Sequence, residues 1–321
     1  NLIINGAMQV AQRGTSSTTN GYQTVDRFNV LIGGVDEQPT QAQVDVASGT
    51  TPYTLGFRKA LKLTNGNNTS GAGATDYLGI YQAIEAQNIA TSGWNYLSSS
   101  SFITLSFWVK SSVAQVFSGS VGTSDGTAYY WKFDTPSLSA NTWTKVTKTV
   151  FGNSNLTINN DVGVGLGFRL YGFLGTSYTS SNSNTGTWNS GGNQYANDMT
   201  STWWTTNDAT LEITGLQIEV GSVATDFEHR TFAQELALCQ RYYYLLKEDT
   251  FAFHYRNDYR MVQVQFPQQM RATPTVTGTY EPTSGWSSYQ ANNTQVTLFV
   301  QTADSVQANN YVRELRLDSE L

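Results

Sequence analysis

The chain has 321 residues, enough for one large β-sandwich with an appendage or for two ordinary domains. Only 13% of them are charged, Gly, Ser, Thr and Asn crowd between short apolar runs, and aromatics reach 13%, a composition of β-sandwiches and fibres rather than helical enzymes. A formal charge of −6 without a basic stripe excludes a nucleic-acid footprint, a single cysteine (Cys239) excludes an internal disulfide framework, and no apolar run approaches the roughly 18 residues of a membrane span.

The chain opens at Asn1 without Met or a charged-then-apolar leader, and so reads as trimmed or as a fragment. Residues 102–110 alternate clearly: Ile103, Leu105, Phe107 and Val109 share one face, Thr104, Ser106 and Lys110 the other, which predicts a half-buried strand. Residues 127–133 and 143–151 read the same way, with Pro136 and Asn141 between them, so the three strands are expected to form an antiparallel meander. From Val162 to Leu170 apolar residues alternate with Gly163, Gly165 and Gly167, leaving a bare face on which something is expected to pack closely. Between Leu211 and Val220 the apolar phase jumps across Gly215, the pattern of a β-bulge.

Residues 175 to 206 lack periodicity and are read as a solvent-facing functional loop punctuated by aromatics. Thr231-Phe-Ala-Gln234 fits a capping box and opens a helix expected over 232–247. Along it Phe232, Leu236, Cys239, Tyr243 and Leu246 are spaced four, three, four and three, the seam by which helices pack in an oligomer. Residues 261–266, 273–280, 294–300 and 311–317 read as strands of a second unit. The expected class is therefore all-β: a jelly-roll β-sandwich over 1–230, one connecting helix over 231–248, and a small antiparallel β-domain over 249–321.

Leu216-Gln-Ile-Glu-Val-Gly-Ser-Val-Ala-Thr-Asp-Phe-Glu228, followed by Glu235-Leu-Ala-Leu-Cys-Gln-Arg-Tyr-Tyr243, resembles a module of phage tail-fibre and related virion proteins. Asn1-Leu-Ile-Ile-Asn-Gly-Ala-Met-Gln-Val-Ala-Gln-Arg-Gly14 and Val25-Asp-Arg-Phe28 resemble its start, and Met270-Arg-Ala-Thr-Pro-Thr275 its C-terminal piece. The resemblance touches nearly the whole chain. It implies a carbohydrate-binding-module-like jelly roll on the exterior of a phage particle, used for attachment or as a structural fibre. A homotrimer, contacts with other virion proteins and binding to host cell-surface polysaccharide are implied with it. The 175–206 loop departs from the module, so ligand specificity does not carry over.

Sugar rings present apolar C–H faces, which aromatic plates bind by stacking while amides and carboxylates fix the hydroxyls. The loop supplies both kinds: Trp188, Tyr195, Trp203 and Trp204 are the expected plates, and Asn189, Asn193, Gln194 and Asp198 the polar partners. The alternative is that Trp203 and Trp204 plug the sandwich edge or a subunit interface. Trp94 with Tyr96, and Tyr129 with Trp131, are read first as packing pairs and second as lining for a cleft.

For catalysis, the two histidines, His229 and His254, stand near no nucleophile elbow. A carboxylate pair such as Glu212 with Glu219, or Asp198 with Asp208, would serve a glycosidase, but nothing in the spacing singles one out. The chain is expected not to be an enzyme, with a polysaccharide depolymerase as one alternative and a structural neck, collar or capsid-decoration protein as the other. No metal motif is present; similar sandwiches carry a structural calcium, for which Asp26, Asp125 and Asp161 have no diagnostic spacing.

Overall fold

The computed structural model describes residues 1–180, 185–192, 194–247, 254–256, 259–281, 286–301 and 311–321. They divide into two compact units, Asn1–Arg230 and Thr231–Leu321. Among the described residues no helix is long and apolar enough to cross a membrane.

The first unit is a jelly-roll β-sandwich of two six-stranded antiparallel sheets. One sheet runs in the order β1 (Ser16–Ser17), β3 (Thr40–Asp45), β4 (Lys59–Thr64), β14 (Thr210–Val220), β6 (Phe102–Ser111) and β9 (Thr144–Phe151). The other runs β12 (Trp188–Asn189), β8 (Tyr130–Asp134), β7 (Ser118–Thr123), β10 (Val164–Leu174), β5 (Tyr77–Glu85) and β2 (Asn29–Gly33). Alternation drives the layering. Ile103, Leu105, Phe107 and Val109 of β6 share one hydrophobic core with Leu166, Phe168 and Leu170 of β10, where the Phe107 and Phe168 rings lie edge to face at 5.7 Å.

The expected meander is not what forms. β6 pairs with β9 in one sheet, whereas β8 lies in the other beside β7, a strand that the sequence reading did not contain. Its sequence Ser-Gly-Ser-Val-Gly-Thr has almost no apolar alternation, because of its inward positions Gly119, Val121 and Thr123 only Val121 is apolar and large. The bulge does form: register shifts between Thr214 and Gln217, and Gly215 takes a φ of 62° with the Phe57 ring where a Cβ would point. The start of the chain is tied to this frame. Asn5 Nδ2 donates to the carbonyls of Val10 and Asp26, and buried Arg27 donates through Nη2 to the Ala83 carbonyl at 2.7 Å.

The described residues between 175 and 206 are tied to the sandwich at several points, while many of them stay exposed. β11 (Thr179–Ser180) pairs with β13 (Ala196–Asn197), and β12 extends the second sheet by setting Trp188 opposite Trp131. Two short helices, α1 (Thr51–Thr54) and α2 (Ala86–Ala90), were also absent from the sequence reading.

In the second unit the capping box is present at the start of α3 (Phe232–Gln240): Gln234 N–H donates to Thr231 Oγ1 at 3.3 Å and Thr231 N–H to Gln234 Oε1 at 2.9 Å. The helix stops at Gln240 and does not continue to 247. Tyr243–Leu246 is instead strand β15, paired along β21 (Tyr311–Asp318), because an aromatic and aliphatic run beside an open ladder gains more from pairing than from another helical turn. Phe232, Leu236, Cys239, Tyr243 and Leu246 therefore do not share one helix face. Phe232 is 55% exposed, Leu236 half-buried and Cys239 sealed, while Tyr243 and Leu246 belong to the sheet. β15, β21 and β18 (Thr275–Glu281) form one sheet; β16 (His254–Arg256), β17 (Tyr259–Gln265), β20 (Gln295–Gln301) and β19 (Trp286–Ala291) form another. Met270, Val296, Leu315 and Leu317 are at the heart of this unit's core.

Candidate functional site

The outward face of the second sheet carries an arrangement of tyrosine and glycine. Tyr171 on β10 pairs with Gly79 on β5, Tyr130 on β8 with Gly122 on β7, and Tyr77 on β5 with Gly33 on β2. Tyr81 on β5 lies over Gly167 on β10. At all four glycines an added Cβ would come within 2.4–2.5 Å of the tyrosine ring, so the missing side chains are what let the rings lie down on the sheet. This is what packs against the bare face of β10: the Tyr81 ring covers Gly167, and Ala86 covers Gly165.

The pairing of β11 with β13 brings Tyr178 and Tyr195 over this floor, their rings stacked 6.3 Å apart. Tyr195 meets Tyr130 edge to face at 5.1 Å, and Tyr178 meets Tyr77 likewise at 5.8 Å. Together with Leu31 and Leu174 these residues enclose a cleft of ≈ 380 Å³, within the range of about 300–1,000 Å³ typical of small-ligand sites. Arg169 stands at its centre. Its guanidinium carbon is 4.6 Å from the ring centre of Tyr81, 5.3 Å from Tyr130 and 5.5 Å from Tyr195, a triple cation–π contact.

Burial holds the phenols of Tyr81, Tyr130 and Tyr171 above the ordinary tyrosine range, against the opposing pull of Arg169. Their hydroxyls stay protonated as donors throughout the physiological range. Beside the cleft, burial pushes the Lys132 ammonium down while Asp198 and Asp134 pull it back, and its Nζ donates to Ser180 Oγ.

Of the four expected plates, Tyr195 alone lines the cleft. Trp203 and Trp204 are 0% exposed and are core residues, not plates. Trp203 Nε1 donates to the Thr210 carbonyl at 3.0 Å, and its ring occupies the space left by Gly172; Trp204 Nε1 donates to the Gly71 carbonyl at 2.8 Å. Both indole N–H groups are satisfied by backbone, which removes the reason for either ring to face water. Trp188 is 8% exposed on the edge strand, and its Nε1 donates to the Phe151 carbonyl at 2.6 Å. Asn189 donates to the Thr187 carbonyl, Gln194 is exposed, and Asp198 accepts from Thr179 Oγ1; none of the three lines the cleft. Asn193 lies outside the described residues.

Trp94 and Trp131 are core residues with Tyr96 and Tyr129 packed against the same cluster. Glu212 is ion-paired to Lys110 at 2.9 Å, Glu219 accepts from Thr225 Oγ1 at 2.6 Å, and His229 Nε2 lies 2.9 Å from the Leu55 carbonyl between the rings of Phe57 and Phe227. The side chain of His254 lies outside the described residues. Asp26 accepts from Gln12, Asp125 from Asn159 and Asp161 from Gly163; among the described residues no three His, Cys, Asp or Glu side chains gather as a metal site. The cleft residues Tyr77, Tyr81, Tyr130, Arg169 and Tyr171 were missed. Their signal is Tyr77-x-Gly79-x-Tyr81 and Gly167-x-Arg169-x-Tyr171, two strands whose outward phase interleaves glycine with large polar-tipped side chains.

No protein-family model matches the chain, and no curated protein matches its sequence. Among solved structures it is similar to the enzymatically active domain of tailspike protein 4 of bacteriophage CBA120 (10% identity, TM-score 0.36), with 69% of this chain aligned to 21% of that one. It is also similar to a putative sugar binding protein from Bacteroides thetaiotaomicron (12%, 0.36; 69% of this chain, 100% of that). A third is the N-terminal cellulose-binding domain of β-1,4-glucanase C from Cellulomonas fimi (12%, 0.31; 67% and 99%).

Proposed function

We propose that the first unit binds glycan through the tyrosine-lined cleft, and that the chain is a non-catalytic subunit of a phage particle's exterior appendage which attaches to host-surface polysaccharide. The observation that carries the binding reading is the cleft itself: rings laid on a glycine floor, hydroxyl tips kept protonated, and a guanidinium at the centre. Stacking on C–H faces with hydrogen bonds at the rim is the chemistry by which proteins hold sugars. The non-catalytic reading draws on the lining, which among the described residues contains neither Asp nor Glu, whereas two-carboxylate hydrolysis places a pair about 5 to 9 Å apart across the bond. The virion address and a trimeric assembly rest on the resemblance of the segments around Leu216–Glu228 and Glu235–Tyr243 to phage fibre modules.

A glycan array probed with the intact chain and with Tyr81→Ala and Tyr130→Ala tests the binding reading. Binding by the parent and its loss in both variants supports it. Silence across the array favours a structural neck, collar or capsid-decoration role, and new reducing ends released from host polysaccharide would make the chain a depolymerase.

A further inference from the structure

The glycan-binding reading of the cleft is the ground for one step further, to the class of sugar. Among the described residues Arg169 is the one charged side chain in the lining. Among the described residues it has no ion pair and no hydrogen bond, only the three rings around it, and its Nη1 is buried without an acceptor. Directly opposite Arg169 in the ladder between β7 and β10 is Ser120, fully buried, whose Oγ is likewise without a partner. Next along the same row comes Lys132, which by contrast is provided for by Ser180 and the charges of Asp134 and Asp198.

A partly desolvated guanidinium with neither counter-ion nor acceptor is costly, and proteins otherwise avoid it. Here it is retained within a concave aromatic site, in a chain whose net charge is −6, and among the described residues no carboxylate lines that site. The missing partner is then one that a ligand brings. We propose that the cleft takes an acidic saccharide, a sugar ring bearing a carboxylate, with Arg169 as the group that binds the carboxylate and the tyrosines as the plates and hydroxyl donors for the ring. A carboxylate suits the site better than a sulfate ester because its two coplanar oxygens match the planar fork of a guanidinium.

The test is titration calorimetry of the intact chain against a panel: polygalacturonate, alginate and hyaluronate, the carboxyl-reduced neutral form of each, a sulfated dextran, and neutral xylan and glucan. The expected result is binding of at least one carboxylated polymer, weakened about tenfold or more by carboxyl reduction and by Arg169→Gln, with Arg169→Lys between. That binding should also weaken as salt is raised. Neutral polymers that bind as tightly as the acids, with Arg169→Gln unchanged, overturn the acidic-sugar inference and leave the glycan reading standing. Sulfated dextran held more tightly than every carboxylated polymer overturns the choice of carboxylate. No binding by any polymer overturns both readings. Comparing acid and reduced polymers on the parent protein keeps the test valid even if an Arg169 variant folds poorly.

Discussion

Gly167 and Tyr81 stand on adjacent strands with the tyrosine ring in the place of the missing side chain: a Cβ at 167 would lie 2.5 Å from Tyr81 Cε2 and 3.1 Å from its hydroxyl oxygen. The three nearest atoms to that Cβ all belong to the Tyr81 side chain. Gly167→Ala is therefore expected to lift Tyr81 off the floor and away from Arg169, lowering affinity for the bound glycan about tenfold, the loss of one stacking or hydrogen-bonding group. The circular dichroism spectrum should be unchanged. Calorimetry on the variant decides it, and undiminished binding would mean that Tyr81 is not part of the site.

Trp203 and Tyr195 separate scaffold from site. Trp203 is wholly enclosed, packed edge to face on Phe117 at 6.4 Å, so Trp203→Ala should cost about 3–5 kcal/mol of stability. At a temperature where the variant remains folded, glycan binding should be that of the parent. Tyr195→Ala should do the reverse, reducing binding with little change in thermal midpoint. If Trp203→Ala removes binding while the fold survives, the plates are at the tryptophans after all.

The strands of the sandwich were legible because a half-buried strand writes its burial at period two, as β6, β10 and β14 do. The site was not, for the same reason read from the other side. At the start of β8 the inward phase holds Tyr129, just before the strand, and Trp131, whereas the ring that lines the cleft is Tyr130 between them. Richness in exposed-looking aromatics pointed to residues 175–206, yet two of those tryptophans are core plugs, because nothing local in Ser-Thr-Trp-Trp-Thr-Thr records that Gly172 and Asn65 wait to receive them. Asn65 Nδ2 donates to the Trp204 carbonyl at 2.6 Å from the far side of the unit's sequence. The helical seam failed differently: spacing of four and three continued past Cys239, but the partner ladder of β21, some seventy residues on, claimed Tyr243–Leu246 for a strand.

Alkaline pH should loosen the sandwich through its buried phenols. Tyr81, Tyr130 and Tyr171 have folded-state pKa values above the ordinary value, burial being the main cause. In the unfolded chain they titrate near about 10. Below that point both states hold the protons and the contribution is fully present. As pH rises from there towards the folded-state values the unfolded state releases protons first, so stability falls with increasing pH. Chemical denaturation across this window should show the decline, and Tyr171→Phe should make it shallower. A stability that is flat through the window in the parent would contradict the burial of these groups.

Cys239, the single cysteine, reports on the second unit. It is carried by α3 and is 0% exposed, so a thiol reagent should modify it in the native protein only through an opening that exposes it, and rapidly in denaturant. The Thr231 capping box holds the first turn of the same helix. Removing it with Thr231→Ala costs about 0.5–2 kcal/mol, which raises the population of the open state about 2- to 30-fold and the labelling rate with it. The sandwich should be indifferent, because the two units are separately compact; glycan binding by Thr231→Ala should equal the parent's. Labelling of the parent as fast in buffer as in denaturant would show that Cys239 is not enclosed, and an unchanged rate in Thr231→Ala would show that the box does not hold the helix against opening.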